Sequence, residues 1–185
     1  NCPKPLYNLL GVPLVERAIR TARLAGCDQV LVVTGAEAEK IERAVLASGR
    51  PWVRTVRAHQ WALGNGASLL AAKPLLRGPF LLLMADHVLD PVLAQRAVAA
   101  AKQRMDRLAQ GASLLVVDPR LGTVHGLHEA TKVCRDGDRI VAIGKDLTCY
   151  DAVDTGVFVG STGLLTALED MAASEESVPL TAGAA

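Results

Sequence analysis

The sequence predicts an α/β domain with a mixed, mainly parallel central sheet. Apolar runs of strand length alternate with amphipathic stretches of helix length as far as Val117. The most apolar run, Phe80-Leu81-Leu82-Leu83-Met84-Ala85, begins after a Gly78-Pro79 turn signal and stops at Asp86, as a strand covered on both faces does. After Asp118-Pro119 the rhythm changes: Ala130 to Cys134 and Arg139 to Ile143 flank Asp136-Gly137-Asp138. That is a hairpin signal, so antiparallel strands join the sheet late.

In chain order, Pro3-Lys4-Pro5-Leu6 reads as extended, since each proline disfavours helical geometry in the residue before it. Val12 to Ala25 places Val12, Val15, Ala18, Ile19 and Ala22 on one face and Glu16, Arg17, Arg20 and Arg23 opposite, an amphipathic helix stopped by Gly26. Gln29 to Gly35 is a buried strand. Ala36 to Ser48 is a helix with Ile41, Val45 and Leu46 inward. Trp52 to Arg57 alternates as a short strand. Gly64-Asn65-Gly66 opens a helix that runs to about Leu76 and is interrupted at Pro74. The strand ending at Asp86 follows, then a helix from Pro91 to Ala109 and a strand from Ala112 to Val117. Beyond the hairpin, Ala152 to Val159 is a strand and Leu164 to Ala173 a helix.

Half of the 185 residues are apolar but only 3% are aromatic, so the core rests on Leu, Val, Ile and Ala. Twenty basic and 19 acidic residues nearly cancel without forming blocks, which argues against a nucleic-acid or membrane-surface footprint. Cys2, Cys27, Cys134 and Cys149 show no CxxC spacing and read as reduced, mostly buried thiols of a cytoplasmic protein. No apolar run reaches the roughly 18 residues that a bilayer requires. The chain opens without Met and closes in Ser177-Val178-Pro179-Leu180-Thr181-Ala182-Gly183, a weakly structured tail. The expectation is one domain over residues 1–185, the interior of a longer protein and incomplete at both ends.

Chemistry is expected near Asp86, because ligands of open α/β sheets bind outside the carboxyl ends of the strands. The alternative role, capping the next helix, falls better to Asp90 before Pro91. Four further features have both a functional and an ordinary reading. Lys4 between prolines is a stiffly held charge suited to phosphate, or a solvated lysine. Gly64, Asn65 and Gly66 let backbone approach a ligand at a helix start, or Asn65 caps that helix. Glu129 and Lys132 flank a strand start, as binding groups or as opposed surface charges. Asp154, Thr155 and Gly156 interrupt an apolar strand, and a polyol's hydroxyls or neighbouring backbone would satisfy them. His59, His87, His125 and His128 lack metal-ligand spacing and read as structural or surface residues. Serine-hydrolase, dinucleotide and Walker motifs are absent.

The order of these pieces resembles the sugar-phosphate nucleotidylyltransferase superfamily. Lys4-Pro5-Leu6, Leu10-Gly11-Val12-Pro13-Leu14-Val15-Glu16, Leu31-Val32-Val33-Thr34-Gly35, Gly64-Asn65-Gly66, Met84-Ala85-Asp86-His87 and Asp154-Thr155-Gly156-Val157-Phe158 follow one another as its motifs do. Asp86-His87-Val88, Glu129-Ala130-Thr131-Lys132-Val133 and Ile143-Gly144-Lys145-Asp146-Leu147, leading into Tyr150-Asp151-Ala152-Val153, are most similar to inositol-1-phosphate cytidylyltransferases. That resemblance implies a three-layer nucleotide-diphospho-sugar transferase fold, glycosyltransferase-A-like. It implies an Mg²⁺-dependent enzyme that transfers CMP from CTP to inositol 1-phosphate and releases pyrophosphate. It also implies a membrane-embedded CDP-alcohol phosphotransferase, fused or as partner, and leaves a homodimer open.

Carried over by position, Lys4 holds phosphate oxygens, while Gly64, Asn65 and Gly66 meet the nucleotide. Asp86 binds the metal and the nucleotide. Glu129, Lys132, Lys145, Asp154, Thr155 and Gly156 face the acceptor phosphate, with Lys4, Asp86 and Lys132 as the catalytic set. The family's glycine-rich loop before Lys4 and its second metal carboxylate do not occur in the sequence. Other expectations remain: another sugar or alcohol phosphate as acceptor, or a non-catalytic nucleotide-sugar-binding domain. A glycosyltransferase is disfavoured because Asp86-His87-Val88 replaces Asp-x-Asp.

Overall fold

The first segment departs from expectation. In the computed structural model, which describes residues 2–173, Lys4–Leu6 forms a single 3-10 turn instead of an extended stretch. Pro3 is extended, but its carbonyl accepts the Leu6 N–H at 2.8 Å, and the Lys4 carbonyl accepts the Tyr7 N–H at 3.0 Å. Pro5 sits in the first turn, where no N–H is required. Its bias on Lys4 is therefore overridden. Two short strands, β1 (Asn8–Leu9) and β2 (Val12–Pro13), then close a tight hairpin whose Leu10 (φ 51°) and Gly11 (φ 79°) both have positive φ.

The first packed unit comprises α1 (Leu14–Leu24), β3 (Val30–Thr34), α2 (Ala38–Leu46) and β4 (Val53–Arg57). β3 and β4 pair in parallel from Val30↔Val53 to Thr34↔Arg57. Val15, Ile19, Val32, Ile41, Val45 and Val53 share one core, each burial contributing on the order of 1.5–3 kcal/mol. Leu46, expected inward, is half exposed. It lies a third of a turn beyond Val45, and the helix ends before the inward face recurs. Glu16 ties α1 to the β4 approach by taking both terminal nitrogens of Arg50, at 2.9 and 2.6 Å.

The chain next passes through a 3-10 turn (Trp61–Leu63) into α3 (Asn65–Ala72), which gives way to a second 3-10 turn at Lys73–Leu75, where Pro74 predicts an interruption. After β5 (Phe80–Leu83), the single helix expected from Pro91 to Ala109 proves to be two, α4 (Pro91–Lys102) and α5 (Met105–Ala109). The break at Gln103-Arg104 turns Met105 outward while Leu108 stays buried. Asp90 caps α4, accepting the Val92 N–H at 2.9 Å. The remaining elements are β6 (Leu114–Asp118), β7 (Lys132–Asp136), β8 (Arg139–Gly144), β9 (Ala152–Gly160) and α6 (Thr162–Ala172).

β9 is the spine of the larger sheet. Val157 pairs with Leu83 of β5 and with Val116 of β6, so those strands lie on opposite edges of β9. Val153 pairs with Asp118 of β6 and with Lys132 of β7, so β7 shares an edge with β5. Every one of these pairings is antiparallel, and β7 pairs antiparallel with β8. The sheet is therefore less parallel than the strand-helix rhythm suggests. β5 and β6 do run the same way, but β9 is inserted between them. Among the described residues β3 and β4 form a separate two-stranded sheet. β5 is only partly buried, not sealed on both faces. Phe158, Leu164 and Leu168 pack one side of the large sheet, while Val157, Val159, Ala97, Ala101 and Leu108 pack the other. No cysteine is fully buried, contrary to expectation: Cys2 and Cys149 are exposed, and Cys27 and Cys134 are intermediate. No described helix is long and apolar enough to cross a membrane. The tail expected to be weakly structured, residues 177–183, lies outside the described residues.

Candidate active site

On one edge of β9, pairing with β5 stops at Val157 and pairing with β7 starts at Val153. Asp154, Thr155 and Gly156 are left between them, in a notch with the carboxyl end of β5 as one lip and the amino end of β7 as the other. On the opposite edge the register slips between Val116 and Val117. Gly156 supplies the positive φ, 75°, that this irregularity requires. The Thr155 hydroxyl donates to the Val116 carbonyl at 2.7 Å and holds the distortion in place. Asp154 is anchored twice: its N–H donates to the Thr131 carbonyl at 2.9 Å, and its carboxylate accepts the Gly156 N–H at 2.6 Å.

The β5 lip carries Asp86. Its Oδ2 lies 2.7 Å from the Lys4 ammonium, and its Oδ1 lies 3.0 Å from His87 Nδ1. Burial alone would raise the Asp86 carboxyl, but the Lys4 and His87 contacts outweigh it and hold it below the usual carboxylate range. Lys4 is raised in return, chiefly by its hydrogen bond to Asp86. The pair is substantially exposed, which limits its contribution to stability. It does show that the 3-10 turn delivers Lys4 to the strand end, 82 residues away in sequence. Asp154 behaves oppositely. Burial pushes its carboxyl up, and the Gly156 N–H and the His87 charge only partly oppose that.

The β7 lip carries Lys132, whose ammonium donates to the Lys145 carbonyl and lies 5.6 Å from the centroid of Tyr150. Lys132 pairs with Val153, the residue before Asp154, so the amino end of β7 borders the notch, while the pairing turns the Lys132 side chain to the face of Val153 and not to that of Asp154. The residues expected to act on the acceptor are not all gathered there. Glu129 is exposed in a turn closed by its N–H on the Gly126 carbonyl, and its carboxylate lies 3.6 Å from His128 Nε2. The Gly64-Asn65-Gly66 segment opens α3, whose Ala67 and Leu69 pack into the core of Phe158, Leu164 and Leu168. Trp61 packs so tightly on Gly35 that a Cβ there would meet it at 2.5 Å, which seats the start of α3 over the end of β3. Gly64, not Asn65, is the N-cap, and no side chain caps the helix. Capping therefore does not account for Asn65, which is exposed. His87 and Tyr150 stand in the site although the sequence reading gave them no role there. The one available signal for His87 was its place directly after Asp86.

A family model for the MobA-like NTP transferase domain matches residues 1–112. The chain belongs to that family. This NTP transferase domain is 34% identical over 174 residues to the bifunctional IPC transferase and DIPP synthase of Rubrobacter xylanophilus, covering 94% of this chain and 37% of that protein. It is 31% identical to the protein of the same name from Archaeoglobus fulgidus, with 96% and 33% covered. The chain thus spans about a third of the length of these curated relatives. In fold it is similar to the inositol-1-phosphate CTP transferase from T. maritima, with a TM-score of 0.78 at 24% identity over 98% of this chain and 71% of that one. It is also similar to a UDP-glucose pyrophosphorylase complexed with UDP-glucose, at a TM-score of 0.76 and 16% identity over 99% and 77%. The α/β fold with a mixed sheet is that of nucleotidyltransferases.

Proposed function

We propose that this domain transfers CMP from CTP to inositol 1-phosphate, giving CDP-inositol and pyrophosphate. The observation that most supports this reading is the notch on β9, with Asp86 and Lys4 at one lip, Lys132 at the start of the strand that forms the other, and Asp154 on the β9 edge between them. Two polyanions must meet there against their own repulsion. Lys4 neutralises the triphosphate, and its exposed ion pair with Asp86 leaves its ammonium accessible to a phosphate. Gly64, Asn65 and Gly66 receive the nucleotide, with Asn65 as donor and acceptor for a base edge. Lys132 and Lys145 hold the acceptor phosphate. Asp154, with its carboxylate in the notch, accepts from the polyol's hydroxyls. Thr155, whose own proton is committed to Val116, offers only lone pairs. Glu129 belongs to the acceptor side only if its turn closes on substrate.

No general base is required, because the acceptor phosphate is already ionised at neutral pH. Catalysis is alignment of the attacking oxygen with the α-phosphorus, together with charge neutralisation. Asp86 fits Mg²⁺: it is a partly exposed, ionised carboxylate in the turn after β5, and Mg²⁺ takes one or two carboxylates with phosphates and water completing its shell. No cluster of three His, Cys, Asp or Glu occurs among the described residues, so a closed all-protein metal cage does not fit. The cation would supply charge neutralisation at the triphosphate. Within this reading the domain is cytoplasmic, a homodimer, and works with a membrane-embedded CDP-alcohol phosphotransferase; the word bifunctional in the relatives' names supports a second activity alongside.

The test is pyrophosphate release by the full-length protein across CTP, UTP and GTP, with inositol 1-phosphate and glucose 1-phosphate as acceptors. Release confined to CTP with inositol 1-phosphate is expected. Preference for UTP with glucose 1-phosphate would move the assignment to another sugar phosphate. Nucleotide binding without turnover on any pair would make this a non-catalytic binding domain. In the same assay Lys132→Ala is expected to raise KM for the polyol phosphate roughly tenfold and that for CTP far less, the loss of about one charge-assisted hydrogen bond. The reverse pattern would put Lys132 on the nucleotide.

A further inference from the structure

We propose that His87 is a positioning residue: it holds the Asp86 carboxylate in the orientation that a divalent cation requires. This deepens the proposed function and rests on Asp86 as the metal carboxylate. The ring lies between the two lips of the notch. Its Nδ1 is 3.0 Å from Asp86 Oδ1, and an ionised carboxylate can only accept, so Nδ1 carries the hydrogen. The far edge of the ring rests on β9. A Cβ built on Gly156 would lie 3.4 Å from both Cε1 and Nε2 of His87. The ring is thus seated on a glycine floor and aimed at the carboxylate. A backbone bond from the His87 N–H to the Met84 carbonyl, at 3.3 Å, fixes the turn that presents it.

Why the contact matters follows from the other partner. Lys4 occupies Asp86 Oδ2 across an exposed ion pair, and in the proposed reaction it turns to the triphosphate. Once it leaves, His87 is the one side chain among the described contacts that still orients Asp86. Carboxylates that bind metals are themselves held by hydrogen-bonding partners, and losing such a partner typically costs 10–100-fold in metal affinity or activity. His87 Nε2 makes no hydrogen bond among the described residues. The proposal therefore separates the two nitrogens: Nδ1 does the positioning, and Nε2 does not.

The experiment exploits that separation in the full-length protein. The asparagine amide of His87→Asn reproduces a donor near Nδ1, whereas the longer glutamine of His87→Gln reproduces one near Nε2. The probe is Mn²⁺ titrated in the presence of CTP without acceptor, with free Mn²⁺ read by electron paramagnetic resonance, so turnover plays no part. Asp86→Ala serves as the reference, and circular dichroism with thermal melts checks each fold. The expected result is Mn²⁺ affinity within about twofold of the parent for His87→Asn and at least tenfold weaker for His87→Gln. Equal affinities for the two His87 variants, with Asp86→Ala weakened, would overturn the positioning role alone, since a merely space-filling ring does not distinguish Asn from Gln. Unchanged Mn²⁺ affinity in Asp86→Ala would overturn the metal assignment and this role with it.

Discussion

Two aspartates border one notch and live in opposite electrostatic surroundings. Asp86 lies in the turn three residues beyond β5, with a cation on one oxygen and an imidazole on the other, and its carboxyl is held low. Asp154 sits within β9, partly buried, with one backbone N–H on its carboxylate and its carboxyl pushed up. Placing the same residue type in two environments is how a fold assigns two carboxylates two tasks. Asp86 is stabilised in advance as an anion, which suits a charged ligand. Asp154 is an anion at a cost, and that cost falls if hydroxyl groups donate to it. The notch is therefore polarised before any ligand arrives.

The sharpest way to break this comparison is Asp86→Ala. Removing the carboxylate is expected to lower CTP- and Mg²⁺-dependent pyrophosphate release roughly 100-fold or more, as loss of several kcal/mol of transition-state charge stabilisation requires, with the melting curve little changed. Turnover near the parent's would remove Asp86 from the metal. Gly156→Ala comes next. Its φ of 75° strains any side chain, and the new Cβ would lie 3.2 Å from Met84 Cγ and 3.4 Å from the His87 ring. A destabilisation of about 1–3 kcal/mol is expected from chemical denaturation. A loss below about half a kcal/mol would mean that the floor of the notch yields.

The smallest expected effect is the most diagnostic. Asp154→Asn should stabilise the protein at neutral pH by about 2–4 °C, the shift that 1 kcal/mol makes in a domain of this size, while weakening binding of the polyol phosphate. The sign follows from the raised carboxyl. Its ionisation opposes folding, the opposition is complete above the folded-state value, and it vanishes below the unfolded value of 3.8, where both states are protonated. Melts of Asp154→Asn and the parent should therefore differ at pH 7 and converge near about pH 3. Asp86 carries the opposite sign. Its lowered carboxyl contributes stability above 3.8 that is lost as pH falls through the folded value, so the parent should gain more than Asp86→Ala between about pH 3 and pH 5. Equal pH responses in the two variants would erase the contrast.

Much of this was legible in advance. The greasy run before Asp86 did become a strand, although it stops at Leu83 and leaves the carboxylate in the turn that follows, and Pro74 and Asp90 acted where their chemistry placed them. The position of Lys4 between prolines leaves a phosphate group and a solvated lysine both open, and the segment's shape departs from expectation because pre-proline bias is weak beside two backbone hydrogen bonds. The long helix was read through its break at Gln103-Arg104, where no proline or glycine marks the stop. His87 passed as an ordinary histidine, since its partners on β9 are some 70 residues away. Glu129, by contrast, belongs to a motif, yet the ion contact described for its carboxylate is with His128.

By itself the sequence determined what local chemistry can determine: which stretches are strands and helices, where they stop, and which polar residues interrupt apolar runs. Periodicity, turn residues and caps act within a few positions of each other, so they are written in the chain. What only the tertiary structure decided is which strand lies beside which. β9, late in the chain, inserts antiparallel between β5 and β6, and the edge it offers is shared by β5 and β7. Pairing across such distances is settled by the burial of whole faces and by the slip at Val116–Val117, neither of which any short window records. The notch exists because of that pairing.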